Sequence, residues 1–513
     1  MRHYQSLASV LIFSVLAGCG GGGSGGSPVS NDGASSIVEG EGYPDPNFNV
    51  VWKETANSAF IPSELITAYI GRGGFGAFNL YGYKNKSFMI PSGREFNTIR
   101  TPNDVDFLTL SVTDRNEIFL DQNPIKPKYI AGSVVNILEG NFGFGENSIL
   151  FIDQGRENGT DPFAFEKSYL WRMDKINGKW VVNEFAQELG KQFWHSSHNP
   201  IDINGDGVLD FSVSNLSISK DLRSVLFLSN GVGKNPRAID LTGHLCTDSQ
   251  DTLLNSGTSA LIRLANKGVA SISIPYISTQ WEKARFGTIM YLTEDGAGVN
   301  SKTCFDVRGT DFTSAIKSSE GYNSIKVIDV NGDGLDDFVA FAEPGGNSEN
   351  SAKSTIKELV FLQKNDSTFE FSNDKLNLPF LYRLPNVDVS KNFNDWLGNE
   401  FSVFDINGDG IRDLFNSTQF INQDAILKYG IRGGILNGKT KMENFSISPD
   451  RIMWNNESDR PYMYRYILPA EINNDGIVDF ILIGAYIDQK IKSESNPYGI
   501  YLKASALLSK KYK

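Results

Sequence analysis

The sequence predicts an all-β chain folded as a seven-bladed β-propeller with calcium-binding hairpin loops. Three observations point there. An acidic nine-residue loop recurs four times, extended segments flank every copy, and the copies sit roughly 60–75 residues apart once a degenerate one is counted.

The loops come first. Residues 202–210 read DINGDGVLD, followed by DVNGDGLDD at 329–337, DINGDGIRD at 405–413 and EINNDGIVD at 471–479. Oxygen-bearing side chains fall at positions 1, 3, 5 and 9, glycine at 6, and a main-chain carbonyl is available at 7. The first set is Asp202, Asn204, Asp206, Val208 (carbonyl) and Asp210. The second is Asp329, Asn331, Asp333, Leu335 (carbonyl) and Asp337. The third is Asp405, Asn407, Asp409, Ile411 (carbonyl) and Asp413. The fourth starts with Glu471 and continues with Asn473, Asp475, Ile477 (carbonyl) and Asp479.

Hard cations such as Ca²⁺ take six to eight oxygen ligands, and glycine permits the sharp turn that aims alternate residues inward. A single NGDG is also an ordinary hairpin turn. Four copies that keep positions 1, 3, 5, 6 and 9 point instead to about four structural Ca²⁺ sites. An EF-hand is excluded. Its position 12 requires a bidentate Glu and its loop exits into a helix, whereas position 12 here is Val213, Ala340, Asn416 or Leu482.

The flanks are extended. FSVS, FVAF, LFNS and FILIGAY follow the loops, and SIKVID and EFSVFD precede two of them, rich in aromatic and branched residues. Each loop is therefore expected at the tip of a hairpin. SVLFLSNG, ELVFLQKN and SYLWRMD alternate in hydrophobicity and are assigned to outer strands.

Spacing sets the unit. The position-6 residues Gly207, Gly334, Gly410 and Gly476 are separated by 127, 76 and 66 residues, so the first gap holds room for two units. RLANKGVASISIPY at 263–276 fills it, with Gly268 in register. Its ligand positions carry Arg263, Ala265, Lys267 and Ser271, a set expected to hold no cation. GENSILFIDQG (145–155) and NDVDFLTLSV (103–112) add two earlier hairpins and bring the total to seven units. A calcium β-helix is excluded by its nine-residue period.

Repeats of the form D-x-N-x-D-G-x-x-D between two strands resemble FG-GAP/VCBS repeats, the blades of integrin-α-type seven-bladed propellers. The match covers roughly 190–490 by motif and 60–190 by extrapolation. The resemblance implies that the calcium loops lie on one face of the disc and stiffen the blades. It also implies that a glycan or protein partner binds the opposite face.

The chain opens MRHYQSLASVLIFSVLAGCGGGGSGGSPVS. A short basic start and an apolar run over 7–16 have the shape of a secretory signal. Leu16-Ala17-Gly18-Cys19 resembles a bacterial lipobox, which implies a signal peptide over 1–18 and lipidation at Cys19. A Gly/Ser-rich tether over 19–45 follows, and 46–513 forms the propeller. Gly20 after the cysteine implies, through the same resemblance, the outer membrane of a Gram-negative cell. The membrane partner is thus a lipid anchor, since no later segment is apolar enough to span a bilayer.

The formal net charge of −12, with 48 basic against 60 acidic residues, carries no basic footprint for nucleic acid. Cys246 and Cys304 are the only cysteines besides Cys19, and read either as a disulfide, favoured by export, or as two buried thiols.

Two function classes remain. One is a binding or adhesion module; the other is a polysaccharide-degrading, lyase-like enzyme on the same scaffold. The enzyme reading rests on FWHSSHNPIDINGDG, where His195 and His198 stand beside Trp194 and ahead of a strand expected near Ile201. That would place the pair at the end opposite the cations, with Trp194 free to stack on a sugar ring. The same residues read equally as packing at a blade junction, with Tyr322 in a comparable place. His244 is the remaining histidine outside the signal. No nucleophile elbow, phosphate-binding loop or Cys/His cluster appears. GRGGFGAFNLYGY (71–83) reads as turns around an early strand.

Overall fold

The computed structural model describes residues 50–61, 87–93, 105–120, 134–143, 148–153, 157–158, 161–165, 168–177, 179–190, 194–215, 224–230, 236–246, 258–274, 286–306, 321–343, 357–372, 402–405, 411–421, 427–436, 442–447, 452–453, 463–473, 475–488, 490, 492 and 500–511. The signal, Cys19, the tether and the 71–83 stretch lie outside them.

Among the described residues the chain is all-β and its sheets are built from antiparallel meanders. A 3₁₀ turn spans Thr242–His244. None of the described helices is long and apolar enough to cross a membrane.

The meanders follow one another along the chain. Ser87–Gly93, Val105–Val112 and Ile118–Leu120 make a three-stranded sheet. Val134–Gly140, Ser148–Asp153, Ser168–Ile176 and Lys179–Gly190 make a four-stranded one. Trp194–His198, Phe211–Asn215, Ser224–Leu228 and Arg237–Asp240 form the next. Thr258–Arg263, Val269–Ile274, Phe286–Leu292 and Val299–Asp306 follow. These last two share an eight-stranded sheet because their first strands pair in parallel, Ser197 opposite Ser259 and His198 opposite Ala260. Gly321–Ile328, Asp337–Glu343, Lys357–Gln363 and Phe369–Ser372 make another four-stranded sheet. Ser402–Phe404, Asp413–Ile421, Leu427–Leu436 and Met442–Ile447 repeat the pattern.

The final sheet joins the two ends of the described chain. Met463–Ala470, Asp479–Ile487 and Ile500–Lys511 are joined by Val50–Glu54, which runs antiparallel to the last strand in the register Val50 to Lys511 through Glu54 to Leu507 and is itself paired in parallel with Ile452–Met453. Trp52, fully buried on that strand, donates its indole N–H to the Val478 carbonyl at 2.9 Å. A strand from the start of the fold thus supplies hydrogen bonds that the last meander would otherwise lack.

The apolar cores lie between successive meanders. Phe211, Val213, Val225 and Phe227 pack with Leu138, Phe142, Leu150 and Leu170 of the preceding sheet. The opposite face of the same meander presents Leu226 and Leu228 to Leu261, Val269 and Met290. The 258–306 meander turns its other face, Ile262, Ile272 and Ile289, onto Ile325, Phe338 and Phe361. Period-2 alternation along strands buried on both faces produces this sharing, since odd and even residues serve different neighbours. Phe338 and Phe361 stack with ring centroids 4.6 Å apart, and Phe305 meets Phe361 at the same distance.

Two assignments of strands are corrected. SVLFLSNG, ELVFLQKN and SYLWRMD supply third strands, each covered by a fourth, and Ser224–Leu228 is buried at every position. Alternation did not reveal the covering strands because Arg237–Asp240 and Phe369–Ser372 are short and largely exposed. The strand expected near Ile201 runs instead over Trp194–His198, and Ile201 makes only an isolated bridge to Asp210.

Cys246 and Cys304 form a disulfide with Cα atoms 5.8 Å apart, tying the segment after the 194–240 meander to the outermost strand of the next one.

Candidate functional site

Each acidic loop joins the first strand of a meander to its second, and in the 194–240, 321–372 and 402–447 meanders that sheet end also carries the third-to-fourth connection. The 202–210 and 329–337 loops share one conformation. Gly205 and Gly332 have φ of +73° and +74°, and Gly207 and Gly334 have +84° and +83°. Gly476 in the fourth loop follows at +82°. A Cβ at Gly207, Gly334 or Gly476 would meet nothing within 4 Å, so the backbone angle and not lack of space selects glycine at position 6.

The first-position carboxylate organises the turn. Asp202 accepts the Gly205 and Asp206 N–H groups on Oδ1 (2.8 and 3.2 Å) and that of Gly207 on Oδ2 (2.9 Å). Asp329 accepts those of Gly332, Asp333 and Gly334 in the same way, at 2.8, 3.2 and 2.8 Å. Glu471, one methylene longer, keeps the bond from Gly476 at 3.0 Å. At position 5, Asp206, Asp333 and Asp475 each accept the N–H two residues on, at 2.9 Å. The position-3 amides of Asn204, Asn331 and Asn473 donate to those same aspartates at 3.2, 3.0 and 3.2 Å.

The ninth position does something the motif alone did not disclose. Asp210, Asp337, Asp413 and Asp479 are fully buried. Asp210 accepts the Ile203 N–H (2.9 Å) on one oxygen and the Ser229 N–H (2.8 Å) on the other. Asp337 does this with Val330 (2.9 Å) and Gln363 (2.7 Å), and Asp479 with Ile472 (2.7 Å) and Ser509 (2.6 Å). Each carboxylate thereby clamps its loop to the end of the third strand. Burial pushes the three carboxyls up, Asp210 and Asp479 to about 6 and Asp337 to about 7, against the lowering effect of those N–H bonds.

The position-8 carbonyl is capped by a different side chain in each case: the Ser229 hydroxyl on Leu209, the Gln363 amide on Asp336 and the Trp52 indole on Val478. These caps come from far along the chain and leave no local signal in the loop.

The donors suit a hard cation, since every side chain of the motif offers oxygen and each carboxylate oxygen that accepts one N–H keeps further lone pairs. Among the described residues no group of three or more His, Cys, Asp or Glu is gathered around a common point. The carboxylates of the 202–210, 329–337 and 471–479 loops accept main-chain N–H groups. Asn407 and Asp409 of the third loop lie outside the described residues; Asp405 and Ile411 are described, and Asp413 is buried like its counterparts.

The degenerate copy forms a tight turn between Arg263 and Val269, with Lys267 at φ +69°, closed by Leu264 N–H to the Gly268 carbonyl at 2.9 Å. Ser271 is buried in the following strand and belongs to no loop. The 145–155 and 103–112 candidates become the second strands Ser148–Asp153 and Val105–Val112.

Trp194 and His195 lie on the first strand of their meander opposite Asn215 and Ser214, at the end away from the loop. His198 is opposite Ala260, on the loop side. The pair is therefore spread along a strand and does not sit together at its far end. Tyr322 is opposite Ala342, also on a first strand away from its loop. His244 closes the 3₁₀ turn. The second-to-third and meander-to-meander connections, where the partner-binding face was expected, lie largely outside the described residues.

No family model matches the sequence, and no curated protein does. Among solved structures, a lectin of Agrocybe aegerita described by its recognition of non-reducing terminal N-acetylglucosamine is similar at 14% identity and a TM-score of 0.41, covering 78% of this chain and 89% of that one. The catalytic domain of a GH62 α-L-arabinofuranosidase from Coprinopsis cinerea shows 9% identity and a TM-score of 0.27, over 61% and 96%. A mutant of AofleA from Arthrobotrys oligospora shows 10% identity and a TM-score of 0.32, over 78% and 88%. None of these three reaches a TM-score of 0.5.

Proposed function

We propose that the chain is a lipid-anchored, exported seven-bladed β-propeller of the FG-GAP/VCBS type. In this reading Ca²⁺ stiffens its blades, and it serves as a binding or adhesion module for a glycan or protein partner. The observation that carries the reading is the repeated hydrogen-bond set. The 202–210, 329–337 and 471–479 loops share a position-6 glycine in the left-handed region, and each has a buried ninth carboxylate fastened to its own third strand. A bound cation would neutralise the acidic loop. The chain's own groups do the rest. Asp202, Asp329 and Glu471 order the turn, and Asp210, Asp337 and Asp479 pass that order into the sheet. The succession of meanders with cores between them, closed by a strand from the other end, supports the ring.

The sheet ends away from the loops are then the natural place for a partner. The test is retention of the full chain on a panel of immobilised glycans and cell-surface proteins, with calcium and with chelator. Selective retention that chelator abolishes is the expected result. Binding to nothing on a broad panel would sink the adhesion reading. Ultraviolet absorbance from unsaturated sugars released from acidic polysaccharides would replace it with the lyase.

A further inference from the structure

We infer that Gln363 is a positioning residue coupling the 329–337 loop to the cation-free turn at 264–268, so that cation binding at the first sets the rigidity of the second. The inference rests on the calcium reading above.

Gln363 ends the third strand of its meander, where Ser229 and Ser509 stand in two others. Those serines turn their hydroxyls back into their own sheets, Ser229 to the Leu209 carbonyl and Ser509 toward Asp475. Gln363 is longer and carries both a donor and an acceptor, and it reaches across. Its main-chain N–H is held by Asp337 Oδ1 at 2.7 Å. Its Nε2 donates to two carbonyls, Asp336 in its own loop (2.6 Å) and Arg263 in the neighbouring meander (2.9 Å). Its Oε1 accepts the Ala265 N–H at 2.6 Å. Just beyond, the Ser367 hydroxyl accepts the Asn266 N–H at 3.0 Å.

Gln363 is only 2% exposed, so these bonds are shielded from water. Two main-chain N–H groups of the degenerate turn are therefore held by the next meander, in a turn whose ligand positions have been lost. Ordering of the 329–337 loop fixes Asp337, Asp337 fixes the Gln363 backbone, and the amide carries that order to Arg263 and Ala265. The bonds form one contiguous chain between two turns.

Hydrogen exchange on the full chain tests this, read by mass spectrometry over peptides spanning 262–269 and 327–338, with calcium and with chelator. Calcium should slow exchange several-fold in both. In Gln363→Leu the 327–338 peptide, which loses the cap on the Asp336 carbonyl but keeps the Asp337 bond to the residue-363 main-chain N–H, should still respond to calcium, and the 262–269 peptide should lose its response; a retained response at 262–269 would overturn the role of Gln363. In Asp333→Ala both responses should shrink together. Calcium protection of 327–338 alone in the wild type overturns the coupling and leaves the calcium reading standing. No calcium effect on either peptide removes both. Should Gln363→Leu fail to fold, Gln363→Asn, whose amide is one methylene shorter and falls short of the Arg263 carbonyl and the Ala265 N–H, is read in the same way.

Discussion

Asp337 is buried beneath a loop that also carries Asp329 and Asp333, and its carboxyl is pushed up to about 7, first by burial and then by those neighbours. A folded-state value above the unfolded one of about 3.9 means that the group's stabilising contribution is complete below pH 4 and is lost as pH rises through 7. Asp210 and Asp479, at about 6, act in the same direction over a lower window. In chelator, the wild type should therefore lose more stability between pH 4.5 and pH 7.5 than Asp337→Asn does, judged by denaturant midpoints. Calcium should shrink that difference by favouring the ionised form. An identical pH slope in wild type and variant, with and without calcium, would remove Asp337 from the account. Asp333→Ala, which deletes an exposed position-5 oxygen, should reduce the stabilisation that calcium gives while changing chelated stability much less. The donor positions of these loops were legible because alternate oxygens and one glycine leave a periodic signature. The clamp role of the ninth aspartate was not, because its partners Ser229, Gln363 and Ser509 stand 19, 26 and 30 residues downstream and share no residue type.

At the scale of strands and sheets, the interfaces between meanders hold the apolar cores. Phe338 is fully buried between two sheets, and Phe338→Ala should cost about 3–5 kcal/mol in an unfolding measurement. Gly287 faces the Phe305 ring so closely that an added Cβ would overlap it, so Gly287→Ala should destabilise by about 1–3 kcal/mol through displacement of that ring. The Cys246–Cys304 disulfide spans a sequence separation of 58 residues, and replacing both cysteines by serine should cost about 4 kcal/mol in the loop-entropy picture. Unchanged stability in the double serine variant would show that the bond adds nothing beyond native packing. Second strands such as Phe211–Asn215 and Asp479–Ile487 were readable directly after each loop, since branched and aromatic runs there are long. Fourth strands such as Arg237–Asp240 were not, because a short exposed edge has the composition of a loop. The 3₁₀ turn before Cys246 had no local signature either.

For the molecule as a whole, the pairing of Val50–Glu54 with Ile500–Lys511 makes the two ends of the described fold interdependent. Spacing between glycines located the units from 194 onward. It said nothing of this closure, which depends on residues more than 400 positions apart, such as Trp52 and Val478. Deleting residues 500–513 should therefore destabilise the first strand as well as the last sheet, visible as loss of the cooperative transition. On the proposed reading, divalent cations at the acidic turns stabilise the folded protein. Thermal unfolding of metal-stripped full-length protein without and with 10 mM calcium tests this. For extracellular-type sites with Kd of about 10⁻⁴–10⁻³ M, each occupied loop should add about 1.4–2.7 kcal/mol, enough to raise Tm by several degrees. A Tm that does not move between chelator and saturating calcium would contradict the claim.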